Sequence, residues 1–244
     1  MTIPTGEVVV PAQVRELARG ADLTPVWHND YGGITFRASG DFDPFYIKWG
    51  PRNLEFALRD EAERMRWAER WIHVPRVLDH GEDETHEWLL TAAIEGRSAV
   101  DPRWVADPAT AVRAVGEGLR AMHDALRARE CPWDWSVPGR IANAESRGIR
   151  VPSALRDAPP IDRLVVCHGD ACCPNTLVGD DGRWIAHVDL ALLGTADRWA
   201  DIAVASMSTE WNYGPGWEDA LIEAYGLEPD RERLAYYRDL WNAT

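Results

Sequence analysis

The stretch VVCHGDACCPNTLVGDDGRWIAHVDL, residues 165–190, decides the fold of this chain. Its first eleven residues crowd together Cys167, His168, Asp170, Cys172, Cys173 and Asn175. A metal knot is the first chemistry such a segment suggests. Cys167, His168, Cys172 and Cys173 are zinc-ligand types, but structural zinc sites usually pair ligands two to four residues apart, twice over. Here Cys172 and Cys173 are adjacent and no second cluster exists. The spacing speaks against zinc. A thiol nucleophile is the second chemistry, and it needs a base and an oxyanion donor beside it. His168 is near in sequence, yet Asp170 and Asn175 then go unexplained. It stands as an alternative, with inert buried cysteine the ordinary state of such thiols.

The third chemistry uses the polar residues. Asp170 follows an apolar strand, Asn175 comes five residues later, and Asp189 comes fourteen after that, at the end of another strand. Two oxygen ligands flanking a third carboxylate suit Mg²⁺ with a polyphosphate, because Mg²⁺ takes few protein ligands and keeps phosphates and waters. The arrangement matches in kind that of kinases: an aspartate orients the acceptor hydroxyl, and an asparagine and a later aspartate bind metal. On this reading the cysteines are bystanders, and His168 braces the loop.

Upstream partners should then exist. Lys48 lies near the end of the apolar run DPFYIKWG, where a phosphate-binding lysine belongs, and Gly32 and Gly33 form a loop before it. Each is weak alone, since strand-end lysines and hairpin glycines are common. The next segment is sharper. PRNLEFALRDEAERMRWAERWI reads as a helix opened by Pro51 and rich in i,i+4 charge pairs. At the helical period Leu54, Leu58, Met65, Ala68 and Ile72 share one face, and Glu61 falls within that stripe while Glu63 points away. A carboxylate on an apolar face needs a partner. Lys48 is the expected one.

The rest of the chain supplies two regions. VVVPAQVRELA reads as a short strand and a helix, PVWHNDYGGITFRAS as strand, loop and strand, and VPRVLDHGEDETHEWLLTAAIEG as two strands around an acidic turn. After Gly96 the pattern turns helical. Asp107 and Pro108 open a helix with Val112, Val115, Leu119, Met122 and Leu126 as its apolar stripe and His123 as a core residue. A Pro- and Trp-rich stretch from Cys131 interrupts; then come the strand RLVVCH and a hairpin turning at GDDG, with helices from about Asp197 onward. The expected architecture is α+β: a small β-rich lobe with one long helix over 1–93, and a larger, mainly helical lobe over 94–244.

The bulk numbers restrict partners. A formal net charge of −14 over 244 residues argues against nucleic acid, whose phosphates need a basic footprint. It would steer a cationic ligand inward. Four cysteines are too few for a disulfide scaffold in a chain this size. Without a signal peptide or an apolar run of roughly 20 residues, the expected location is the cytoplasm, with no membrane partner.

VVCHGDACCPNTLV and HVDLALLGTADRWADIAVA resemble the two signature segments of the aminoglycoside phosphotransferases of the 3′/3″ branch, a bacterial resistance family with a protein-kinase-like fold. DEAERMRWA, WLLTAAIEGRSA and LEPDRERLAYYRDLW extend the similarity over nearly the whole chain. The resemblance implies ATP- or GTP-dependent phosphorylation of an aminoglycoside hydroxyl. It makes Asp170 the catalytic aspartate, Asn175 and Asp189 the Mg²⁺ ligands, and Lys48 the ligand of the α/β-phosphates, held by Glu61. Gly32 and Gly33 would lie over the phosphates, and Thr91 to Ala93 would form the hinge that meets the base. Two features depart from the family. Its Asp-x-Gly-Arg motif here reads Asp189-Leu190-Ala191-Leu192, and Trp241 and Asn242 stand where tail acids are expected. These bear on the acceptor, which could be another amino sugar, a cationic peptide antibiotic or a metabolite, and they admit a nucleotide-binding protein that has lost catalysis. Candidate acids for a cationic substrate are Asp134, Glu145, Glu210, Glu218 and Asp219.

Overall fold

The structure is a computed structural model that describes residues 4, 6, 8–29, 32–52 and 57–244. Contacts divide the chain into one unit of Met1–Arg70 with Val74–Ile94 and another of Trp71–His73 with Glu95–Thr244.

The first unit begins with helix α1 (Ala12–Ala18) and strands β1 (Asp22–His28), β2 (Ile34–Gly40) and β3 (Phe42–Pro51). Helix α2 (Leu58–Ala68) follows, then β4 (Val77–Glu82) and β5 (His86–Ala92). The five strands form one antiparallel sheet in the order β1-β2-β3-β5-β4. Because side chains alternate along a strand, β3 sends Ile47 to one face and Lys48 to the other. Ile47 joins Phe36 and Leu90 beneath Val14 and Ala18 of α1. α2 packs on β4 and β5, burying Ala62, Met65 and Ala68.

Three local expectations change here. Among the described residues Val8–Val10 pairs with no strand; Val8 and Val10 instead pack against the α1 cluster. Pro51 does not open the helix. It ends β3, paired with His86, where its missing N–H costs least. The helix described runs from Leu58 and stops at Ala68, short of Ile72; Leu54 of the proposed stripe lies outside the described residues.

The second unit holds β6 (Arg97–Ser98), α3 (Pro102–Val105), α4 (Pro108–Ala125), α5 (Val137–Ser146), β7 (Leu164–Cys167), β8 (Thr176–Val178), β9 (Trp184–His187), β10 (Gly194–Asp197), α6 (Trp199–Tyr213), α7 (Glu218–Tyr225) and α8 (Arg231–Ala243). Its core packs Val112, Val115 and Leu119 of α4 with Ile202 and Ala203 of α6, Leu221 and Ile222 of α7 and Leu240 of α8. Asp107 caps α4 by accepting the Thr110 N–H at 3.3 Å, with Pro108 in the first turn. Asp107→Ala is expected to cost about 1 kcal/mol, read as a lower denaturation midpoint with unchanged slope.

The hairpin β8–β9 turns at Gly179–Gly182, closed by the Gly182 N–H on the Gly179 carbonyl at 2.9 Å. Two features differ from expectation. Residues before the last helices form a further strand, β10, antiparallel to β7. The sequence hides it because GTAD carries almost no strand propensity and its pairing is tertiary. Asp189 also lies two residues past the end of β9, in the left-handed region at φ 64°.

Candidate active site

β7 delivers the chain into the loop that carries His168, Asp170 and Asn175, and one buried carboxylate holds that loop in place. Asp201, in the first turn of α6, accepts the His168 N–H at 2.6 Å, the Gly169 N–H at 3.0 Å and a hydrogen bond from His123 Nε2 at 3.0 Å. Burial alone would raise its pKa, but the His123 hydrogen bond and the His123 and His168 rings outweigh it and hold the carboxyl below its ordinary range. His123 is itself oriented by the Tyr225 hydroxyl, 2.9 Å from Nδ1. Gly169 has φ +88°, and a Cβ there would collide with the Leu192 carbonyl. Only glycine lets the second loop pass so close.

His168 ties the two loops together. Its Nδ1 accepts the Asp170 N–H at 3.3 Å, and its Nε2 lies 3.0 Å from the Val188 carbonyl. Since a carbonyl can only accept, the proton sits on Nε2. The expected bracing role is what the ring does. A second tie runs from the Val188 N–H to the Asn175 carbonyl at 3.0 Å. These two bonds set where Asp189 begins.

Asn175 donates through Nδ2 to the Asp170 backbone carbonyl at 2.9 Å and to Asp170 Oδ2 at 3.2 Å, so its amide oxygen points elsewhere. Asp170 Oδ1 is buried and has no hydrogen-bond partner among the described residues. Burial raises the Asp170 carboxyl above its ordinary range; the Cys172 thiol and His168 oppose this, and the like charge of Asp189 adds to it. The Asp170 and Asp189 carboxylates and the Asn175 amide oxygen together make an all-oxygen donor set. That set fits a hard divalent cation.

In the first unit, Lys48 Nζ lies 2.7 Å and 2.9 Å from the two oxygens of Glu61. Glu61 is 1% exposed and Lys48 24%. The pair read from the helix face is therefore formed, with the lysine head partly open. Gly32, at φ +84°, and Gly33 stand at the β1–β2 turn, where the Gly33 N–H donates to Asn29 Oδ1 at 2.7 Å. Positions 30 and 31 of that loop lie outside the described residues. Thr91 pairs with Tyr46 in the sheet; the Ala92 and Ala93 N–H groups donate to the Arg76 and Pro44 carbonyls at 2.9 Å and 3.0 Å. Those two amides are thus engaged within the first unit.

The substrate acids fare differently. Asp134 caps Ser136, Glu145 pairs with Arg156, Glu218 pairs with Arg231 and Arg238, and Asp219 pairs with Arg231. Each of those four has a partner within the protein, while Asp134, Glu145 and Asp219 remain exposed. Glu210 is exposed in the last turn of α6, the helix whose Ser208 hydroxyl accepts the Cys173 N–H at 2.8 Å. The zinc reading finds no support: all four cysteines are free, and the ligand atoms of Cys167, His168, Cys172 and Cys173 do not converge.

Sequence reasoning missed Asp201. The signal was present in WADIAVA: an aspartate inside a nearly continuous apolar helix must be buried, and a buried carboxylate needs donors.

Residues 36–237 match the family model described as phosphotransferase enzyme family. The chain belongs to that family. It is 34% identical to the aminoglycoside 3′-phosphotransferase of Streptomyces fradiae over 251 aligned positions, covering 87% of this chain and 92% of the relative. Among solved structures it resembles an aminoglycoside 3′-phosphotransferase of type VIII, with a TM-score of 0.77, 28% identity, and coverage of 95% and 97% of the two chains. It also resembles the aminoglycoside phosphotransferase APH(3″)-Id from Streptomyces rimosus in complex with ADP and streptomycin, with a TM-score of 0.71, 26% identity, and coverage of 96% and 97%. The fold is the kinase-like fold of these phosphotransferases, with an antiparallel-sheet N-terminal unit and a helical C-terminal unit. No helix among the described residues is long and apolar enough to cross a membrane.

Proposed function

We propose that this phosphotransferase moves the γ-phosphoryl group of ATP or GTP to a hydroxyl of an aminoglycoside, of the 3′ or 3″ type, and so confers resistance to it in the cytoplasm. The observation that carries the reading is the loop hung from Asp201, which presents Asp170 beside Asn175 and Asp189. The relatives' names and the ADP and streptomycin complex of a neighbour support the donor and acceptor classes.

Asp170 orients the acceptor hydroxyl and takes its proton as the hydroxyl oxygen attacks phosphorus in line, and the nucleoside diphosphate leaves. Its raised pKa suits a group that must accept that proton. Asn175, through its amide oxygen, and Asp189 would hold Mg²⁺, which when bound neutralises charge on the phosphates. Lys48, fixed by Glu61, bears on the α/β-phosphates as a point charge. Thr91 to Ala93 offers backbone carbonyls to the base, and the Gly32–Gly33 turn covers phosphate. Glu210 is the acid that remains to meet an ammonium group of the acceptor.

The alternative of a nucleotide-binding protein without catalysis, motivated by Ala191 and Leu192, loses the glycine part of its motive. Ala191 does not adopt positive φ, so the absent glycine is not needed there. Leu190 and Leu193 bury their side chains in the loop's place.

Incubation with Mg·ATP or Mg·GTP and a panel of aminoglycosides, followed by mass, tests the proposal. A phosphorylated drug is the expected result; nucleotide binding with no product on any acceptor would overturn it. Glu61→Gln is expected to raise the nucleotide KM about tenfold or more by loosening Lys48, in line with a charged hydrogen bond worth about 1.5–3 kcal/mol. Steady-state kinetics at varied nucleotide check this.

A further inference from the structure

The strand that carries Lys48 also carries a glycine whose side-chain space is already taken. Gly50 stands two residues after Lys48 on β3, and β3 pairs with β5 there without a shift of register. Alternate residues of a strand share a face, so position 50 and Lys48 point the same way. At about 3.3 Å per residue their Cα atoms lie about 7 Å apart along the strand. A Cβ on Gly50 would come within 2.7 Å of Gly33 Cα and 3.4 Å of the Gly33 nitrogen. The Gly32–Gly33 turn is therefore folded back onto β3, on the face from which Lys48 projects. Its backbone rests where a side chain at position 50 would go.

Three hydrogen bonds hold the turn in that shape. The Asn29 N–H donates to the Gly33 carbonyl at 3.0 Å, and the Gly32 N–H to the Asn29 carbonyl at 3.4 Å. The third involves a side chain: the Gly33 N–H donates to Asn29 Oδ1 at 2.7 Å. Gly33 must itself lack a side chain, because a Cβ there would lie 2.5 Å from Asn29 Nδ2. The strand beneath is fixed from its other edge. Gly50 pairs with Glu87 of β5, and the buried Glu87 carboxylate accepts the Leu58 N–H at the start of α2 at 2.9 Å. A side chain added at position 50 would thus displace the turn rather than the strand.

We propose that Gly50 and Asn29 are positioning residues for the phosphates of the nucleotide. Gly50 is the seat, and the Asn29 amide oxygen the tie, that keep the Gly32–Gly33 turn on the Lys48 face of β3. The inference rests on the phosphotransferase reading, in which that turn covers phosphate. Contacts to phosphate are electrostatic and weaken with distance. A displaced turn therefore weakens the hold on the phosphate end of the nucleotide and leaves the nucleoside end as it was.

The test measures binding of ADP and of adenosine, both with Mg²⁺, to the full chain carrying Gly50→Ala, Asn29→Ala or Gly81→Ala, together with melting temperatures and kinetics at varied nucleotide. Gly50→Ala is expected to weaken ADP binding about tenfold, the scale of one overpacked contact, with adenosine unchanged. Asn29→Ala adds no bulk and is expected to weaken ADP about threefold to tenfold, the scale of one lost hydrogen bond, again with adenosine unchanged. In both variants the nucleotide KM should rise by more than kcat falls. Gly81→Ala is the strain control: a Cβ there would meet the Trp88 ring, on the strand at the sheet edge opposite β1. It should lower the melting temperature and keep the ratio of ADP to adenosine affinity. The idea is overturned if the Gly50 or Asn29 variant binds ADP as the wild type does, if adenosine weakens as much as ADP, or if Gly81→Ala moves the ratio equally. Should Gly50→Ala fail to fold, Asn29→Ala decides. If the wild type binds ADP but phosphorylates no aminoglycoside, the functional reading falls and the ADP and adenosine comparison still decides the role of the turn; a wild type that binds no ADP ends both.

Discussion

Asp170→Ala is expected to remove phosphoryl transfer almost entirely, lowering kcat by roughly 10²–10⁴-fold, the range that a positioned acid–base group supplies. Nucleotide affinity should hold, because Lys48, Glu61, Asn175 and Asp189 are untouched and alanine keeps the backbone bonds of Asp170 to His168 and Asn175, losing the 3.2 Å bond from Asn175 to Oδ2. Removing the carboxylate also relieves its repulsion with Asp189 and deletes a buried unpartnered oxygen, so thermal stability should stay the same or rise. Loss of activity with retained or increased stability separates a working residue from a structural one. Calorimetric ADP binding, a melting curve and a transfer assay on one preparation check all three parts. Wild-type turnover in the alanine variant would remove Asp170 from the mechanism.

Asp201→Asn is expected to damage both folding and catalysis, for a reason visible in its three donors. His168 N–H, Gly169 N–H and His123 Nε2 all converge on one carboxylate that is fully buried. An amide can accept at one oxygen only, and its NH₂ would face donors. Breaking a buried charge pair from one side costs about 3–5 kcal/mol, and the loop carrying Asp170 would lose its anchor. A kcat reduced more than tenfold is expected even at temperatures where the variant stays folded. The pH dependence gives a second readout. Because the folded carboxyl titrates below its ordinary value of 3.8, its contribution is complete above that pH and is lost as pH falls through the lower folded value. Acid unfolding should therefore be less steep in Asp201→Asn than in the wild type over that window.

The residues proposed to bear charge on phosphate and metal were legible because chemistry constrains them locally. Asp170, Asn175 and Asp189 declare themselves by type and spacing. Glu61 declares itself by standing on an apolar helix face, and the structure places Lys48 within 2.7 Å of it. By the same logic Asp201 could have been read from its apolar helix. Which of the candidate acids already pair with an arginine could not, since nothing in a sequence tells an open carboxylate from one that an arginine elsewhere in the chain holds, as Arg231 holds Glu218 and Asp219. Strand β10 was hidden for a related reason: its identity lies in its register with β7, not in its own composition.

The amino-acid sequence by itself determined the two-region α+β architecture, the polar set of a phosphotransferase and the Lys48–Glu61 pair, because periodicity and ligand chemistry act over a few residues. Only the tertiary structure decided what holds the catalytic loop and that residues 194–197 pair with β7 as a strand. Those depend on contacts between segments some thirty or more residues apart, such as Cys173 with Ser208 and His168 with Asp201. A local pattern carries no record of which distant donor arrives to meet it.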